Sequence, residues 1–355
     1  MSEQTPPPAV TPPPDEHQRV EALAEETARP SESTFARVMG SSVGRNLGLV
    51  IALVVLIIIG VATAGDRFGS LDNMLTILRF ASIIGVVSIG MTFVIIGGGI
   101  DLSVGAIVAL ASVWATTLAT QTMAENSHWL VMVFAALAVG TACGLVNGTL
   151  IAYGRLAPFI ATLAMLAAAR GLAEIISERR TQIVDVREFV DFFGGSFLGI
   201  PVLIWIFALV SAIGWILLNR TTFGRRTIAV GGNSVAARLA GINVKRHTLF
   251  LYTLLGFACG IAAIMIIART TTGSSTHGLL YELDAIAAVV IGGTLLTGGR
   301  GTIVGTVFGV LIFATLTNVF TLNNLDTSSQ AVAKGVIIVL AVLLQQRVAA
   351  RNGST

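Results

Sequence analysis

Apolar runs alternate with short polar breaks over most of this chain, and the runs have the length a bilayer asks of a helix, about 20 residues. They read as spans over residues 46–64, 75–96, from Gly105 to about Thr120, then 129–153, 158–177, 197–219, 248–268, 303–321 and 330–346. Between Asp284 and Arg300 the uncharged stretch is too short for an ordinary crossing and is interrupted by Gly292-Gly293 and Gly298-Gly299. A broken helix lining a protein interior fits it better than a lipid-facing one. With that element the crossings number roughly ten. Trp129 suits an interfacial anchor, and Pro158 opens a span where its missing N–H costs least. The breaks at 178–195 (mixed charge) and 269–281 (Thr, Ser and Gly) read as loops on the outer side, as does a turn at Glu125 and His128.

The polar segments set the orientation. Residues 220–246 carry Arg220, Arg225, Arg226, Arg238, Lys245 and Arg246 without one Asp or Glu, which marks a cytoplasmic segment. An even number of crossings then puts both termini on the same, inner side. Crossings two to five and seven to ten would run in opposite senses, as an inverted repeat requires, although the two halves show no clear self-similarity. Residues 1–45 hold the triplets Pro6-Pro7-Pro8 and Pro12-Pro13-Pro14 and an acidic run, which predicts a disordered cytoplasmic tail. That stretch is too long and too acidic for a cleavable signal peptide. Residues 46–347 form the transmembrane domain, and 348–355 a second short cytoplasmic tail.

Composition fixes the class. Hydrophobic residues make up 54% and charged ones 12%, so the main solvent is lipid and the fold is an all-α polytopic membrane protein. The net charge of +3 sits mostly in loops and reports topology rather than a nucleic-acid partner. Cys143 and Cys259 have no CxxC or His neighbour and read as inert buried thiols. There is no Gly-x-x-x-x-Gly-Lys-Ser/Thr, and the only lysines are Lys245 and Lys334, so this chain cannot cradle ATP itself. No His-Glu-x-x-His or other metal or cofactor pattern is present, which argues against a membrane-embedded enzyme. The spans also hold few carboxylates for the proton or sodium relay of a secondary transporter.

Four groups of residues are candidates for function. Asn233 to Gly241 reads as a two-turn helix with an Asn cap, a Gly stop and a small apolar face (Val235, Ala236, Leu239, Ala240), with Arg238 beside it, built to dock on a partner. In Gly99-Ile100-Asp101-Leu102-Ser103-Val104-Gly105 the carboxylate is better explained as a cap over the next helix, with Ser103 as a second cap, than as a sugar or cation ligand. Glu282 and Asp284 lie at the outer mouth, where they receive a partner, gate the entrance or sit in a solvated turn. Small and hydroxyl-bearing positions, Ser88, Thr92, Asn147 and Asn318, are the pathway candidates, set against the close helix packing that such residues commonly serve. Arg170 and Glu174, four apart, are expected to pair, and Lys334 is expected to snorkel to the headgroups.

The Gly99 to Gly105 motif, the run Tyr281 to Thr294 with Gly298-Gly299-Arg300-Gly301-Thr302, Gly231-Gly232-Asn233 with Ala237 to Ile242, and Pro158 to Leu163 with Arg170-Gly171 closely resemble permease subunits of bacterial ABC importers for ribose, xylose, galactose and related monosaccharides. The resemblance covers about residues 75–346. It implies a type II importer permease of the cytoplasmic membrane, working as a homodimer on two separate ATPase subunits that bind ATP and Mg. A soluble extracytoplasmic sugar-binding protein would dock on the far side and hold most of the selectivity. The helix of Asn233, Val235, Ala236, Arg238, Leu239 and Gly241 would then be the coupling helix. Permeases for nucleosides or branched-chain amino acids share this architecture; Ile100-Asp101-Leu102-Ser103 and Glu282-Leu283-Asp284 favour the sugar group.

Overall fold

The computed structural model describes residues 42–352, so most of the tail expected over 1–45 (residues 1–41) and the last three residues lie outside the described residues. The described helices are α1 (Ser42–Ala64), α2 (Asp66–Gly69), α3 (Leu71–Ile96), α4 (Val104–Ala115), α5 (Leu118–Asn126), α6 (Leu130–Ala152), α7 (Pro158–Ser177), α8 (Arg187–Gly194), α9 (Val202–Arg220), α10 (Thr222–Gly232), α11 (Ser234–Leu239), α12 (Val244–Thr270), α13 (Tyr281–Ile291), α14 (Ile303–Leu322) and α15 (Thr327–Asn352). Seven of them are long and apolar enough to cross a membrane, or eight when α4 and α5, bent by 54°, count as one. The chain is a helical, multi-pass membrane protein. α13, with 11 residues, is too short to span alone.

The helices start where short polar side chains occupy their free N–H groups. Ser70 accepts from the Asn73 amide, Asn243 from Arg246, Thr302 from Gly305 and Asp326 from Ser329. Pro158 occupies the first turn of α7. α3 and α12 form the centre, buried along most of their length, whereas α1, α7 and α9 turn Ile51, Ile58, Ile160, Ile175 and Leu209 outward, as lipid-facing helices do. α6 and α12 meet along a seam of small residues. A β-carbon on Gly144 would lie 2.3 Å from the Tyr252 carbonyl, and one on Gly256 would lie 2.3 Å from the Gly140 carbonyl. In lipid, where apolar burial contributes little between helices, such backbone approach is what holds two of them together.

Several predicted boundaries move, each for a local reason. The third span is bent at Thr116-Thr117, because Thr116, Thr117 and Thr120 give their hydroxyls to carbonyls of the preceding turn at Ser112, Val113 and Trp114. Gln121 then ties the break to the Ile183 carbonyl. Residues 178–195 are not a plain loop: β1 (Gln182–Ile183) and α8 lie there, with Phe189 and Phe193 buried. The sixth span begins at Val202 rather than 197, since a hairpin of β2 (Ser196–Phe197) and β3 (Ile200–Pro201) turns through Leu198 and Gly199, both at positive φ. The helical pattern after Asp284 stops at Gly292, as its glycines predict, and residues 292–302 are non-helical. At the termini, α1 begins at Ser42 and α15 runs to Asn352, beyond both expected domain edges.

Candidate functional site

One pole of the bundle gathers three glycine-containing turns. The Gly299 amide donates to the Ile96 carbonyl at 2.8 Å. A β-carbon on Gly231 would lie 1.7 Å from that same oxygen, and Gly98, Gly298 and Gly299 all take positive φ within reach of Gly231 and Gly232. Thus the C-terminal end of α3, the end of α10 and the loop before α14 share one backbone junction. A cavity of about 500 Å³ opens beside it, lined by Gly98, Gly231, Asn233 and Tyr252 among others. Cations stand over aromatic rings around this pole: Arg220 on Trp215, Lys245 on Tyr153 and Arg246 on Phe250, at 5.4, 6.0 and 5.5 Å.

α11 hangs directly from the junction. Asn233 ends α10 and caps α11, its Oδ1 accepting from the amides of Val235 at 3.0 Å and Ala236 at 2.9 Å. Gly241, at φ 83°, stops the helix, and the Ile242 amide returns to the Ala237 carbonyl. The acid-free segment therefore holds two helices, α10 and α11, where the sequence predicts one. Ala237 is buried against the rest, while Val235 is 63% and Leu239 84% exposed. Ala236, Arg238 and Ala240 are exposed as well.

The motif at 99–105 forms a second, buried cluster. Asp101, 1% exposed, accepts through Oδ1 from the Ser103 amide at 2.8 Å and from the Ser103 hydroxyl at 2.5 Å. Asn147, from α6, donates to Asp101 Oδ2 at 3.2 Å and to the Ser103 hydroxyl at 3.0 Å. Ser103 does not cap α4 with its side chain as expected, because its hydroxyl is committed to Asp101. The Tyr252 hydroxyl donates to the Ile100 carbonyl at 3.3 Å, and Gly99 leaves the space that this ring fills.

A non-helical strap links that cluster to the opposite pole. After α12 the chain pairs β4 (Thr272–Gly273) with β1, then runs back along α4, with Gly273 against Thr116, the His277 ring on the Ser112 hydroxyl at 3.1 Å, and Gly278 against Gly105. α13 therefore begins at the level of Gly105, about 16 Å along α4 from Thr116 at 1.5 Å per residue. Arg170 of α7 fastens the strap, donating to the Ser275 and His277 carbonyls. This corrects the expected Arg170–Glu174 pair: Glu174 bonds Arg179 at 3.1 Å instead. The solvated turn considered for Glu282 and Asp284 is corrected too. Asp284 is 6% exposed and holds Lys334 of α15 at 3.2 Å, while Glu282 is half-buried against Gly105. Lys334 thus points inward, over the Phe313 ring at 5.0 Å, rather than snorkelling.

Of the pathway candidates, Asn147 joins Asp101 and Ser103, and the other three lie elsewhere. Thr92 bonds Thr306 at 2.7 Å across α3 and α14, Asn318 exchanges two bonds with Asn73 at 3.2 and 2.8 Å on that pair, and Ser88 returns its hydroxyl to the Ile84 carbonyl. Ser88, Thr92 and Asn147 are fully buried within the chain. The partners Asn73, Ser112, Thr306 and Lys334 escaped sequence reasoning, since nothing local marks a contact between residues so far apart. Among the described residues no three His, Cys, Asp or Glu side chains group as metal ligands would.

Residues 73–344 match the family profile described as branched-chain amino acid transport system / permease component. The ribose import permease of Bacillus subtilis is 42% identical over 313 residues, which is 88% of this chain and 96% of that one. The ribose import permease of Escherichia coli K12 is 41% identical over 302 residues, 84% of this chain and 92% of its own. An L-arabinose ABC transporter permease of Azospirillum brasilense is 39% identical, covering 84% and 87% of the two chains. No solved structure matches. With its helical membrane bundle, its motifs in order and identities of this size over most of both lengths, the chain belongs to the monosaccharide ABC importer permease family.

Proposed function

We propose that this protein forms, with a second copy of itself, the translocation pathway of an ATP-driven importer for a monosaccharide in a bacterial inner membrane. Two separate ATPase subunits bind at the pole carrying α11, which faces the cytoplasm, and an extracytoplasmic sugar-binding protein delivers substrate at the other pole. Both termini lie on the cytoplasmic side. The crossings number ten when the strap with α13 counts as the eighth and α15 as the last, an arrangement favoured by the alternation of helix ends between the two poles.

One observation carries this reading: Leu239 and Val235 stand exposed on a capped helix anchored to the backbone junction of α3, α10 and α14. Exposed apolar side chains on a charged surface mark a docking face. A partner that closes around α11 by a few Å would pull on Gly231 and hence on Ile96 and Gly299, so that a displacement outside the lipid reaches the ends of two buried helices. Ribose, arabinose and fructose as the named cargo of similar permeases favour a neutral sugar over an amino acid.

The test is Leu239→Glu in the assembled importer in proteoliposomes. A charge in the middle of a docking patch costs about 2–4 kcal/mol, on the order of 100-fold in affinity. Uptake should fall to background while the helical content of the permease is unchanged. Wild-type uptake by this variant would remove the docking assignment.

A further inference from the structure

We propose that the protein carries a site for one anionic phospholipid, whose phosphate sits between Arg226 and Arg246 and whose acyl chain lies along α12. A cavity of about 480 Å³ at the α11 pole is lined by Phe223, Arg226, Asn243, Arg246 and Phe250. Both guanidinium groups are exposed, and among the described residues neither forms an ion pair or donates a hydrogen bond from its side chain. Arg246 only stacks on Phe250. No acidic residue occurs anywhere in 220–246, so the charge of this cavity has no local counterpart.

The cavity continues into a second one. Phe223 and Phe250 are shared with a second groove of about 510 Å³, lined also by Leu217, Leu254 and Phe257. Arg246, Phe250, Thr253, Leu254 and Phe257 follow one another at helical spacing on one face of α12, so the basic end runs directly into an apolar channel. From Arg246 to Phe257 that face is about 16 Å long at 1.5 Å per residue, the scale of an extended acyl chain. Phe250 and Phe257 are exposed on the surface of the chain, as side chains flanking an acyl chain would be. A doubly basic head position joined to an apolar groove in the lipid zone is complementary to an anionic amphiphile. A soluble phosphate would use only the first cavity and leave the groove without a role.

The experiment is native mass spectrometry of the purified full-length chain in detergent, offered phosphatidylglycerol or phosphatidylcholine with the same acyl chains. Phosphatidylglycerol should be retained, one per chain, roughly tenfold or more in preference to phosphatidylcholine. Arg226→Gln combined with Arg246→Gln should abolish that preference, and Thr253→Trp, which fills the groove, should weaken retention of both lipids. Arg226 and Arg246 are exposed, Thr253 is half-buried and gives its hydroxyl to the Leu249 carbonyl of its own helix at 2.8 Å, and unchanged helicity confirms that each variant is folded. Equal retention of the two lipids, indifference to the double arginine variant, or displacement of phosphatidylglycerol by excess inorganic phosphate would overturn the assignment.

Discussion

Asp284 and Lys334 sit 50 residues apart in sequence and meet at 3.2 Å where neither is freely solvated. Each alone reads as a surface group, because the burial that makes the pair necessary comes from the strap and α13 descending beside α15. Breaking a buried pair by removing one partner costs about 3–5 kcal/mol, whereas replacing both with apolar groups is close to neutral. Lys334→Met should therefore lower the thermal midpoint in detergent clearly, and Asp284→Leu added to it should recover most of the loss. No recovery would mean that the carboxylate has another partner. Asp101, by contrast, was legible: Asp-x-Ser after a glycine run predicts a carboxylate turned back on the next amides, and the Ser103 amide is where it goes.

At the scale of elements, hydrophobic length found the long helices and glycine found the breaks. What the pattern could not show was competition for backbone groups. Three threonines bend α4 from α5, and a hairpin shortens the start of α9. Neither changes the apolar count of a window, so neither is visible to it. Both halves of the chain nonetheless repeat one order: a long helix (α3, α12), a non-helical stretch, a helix of 12 or 11 residues (α4, α13), and later two long helices (α6 with α7, α14 with α15). That recurrence has no clear self-similarity in sequence behind it. The junction at Gly231 yields a sharp contrast between neighbours. Gly231→Ala would press its methyl into the Ile96 carbonyl and should cost about 3 kcal/mol or more, above the usual overpacking range because the clash is with backbone. Gly232→Ala meets nothing within 4 Å and should leave folding and uptake near normal. Equal tolerance of both in a thermal and uptake assay would mean that the junction is not held closed.

For the whole molecule, family motifs gave the class and charge asymmetry predicts the orientation, while the depth of Asp284, the strap and the apolar groove beside α12 appear only in the folded structure. The proposed coupling concentrates at the α11 pole, where an exposed helix is tied to the ends of buried ones. The cleanest check is crosslinking in inverted membrane vesicles that contain the complete importer, with Leu239→Cys introduced into a Cys143→Ser background. Cys259 is buried and stays silent. The proposed coupling requires a crosslink from position 239 to the ATPase subunit, with a yield that changes when ATP is added. Modification of that cysteine by a membrane-impermeant maleimide applied to the outside of intact cells would contradict it.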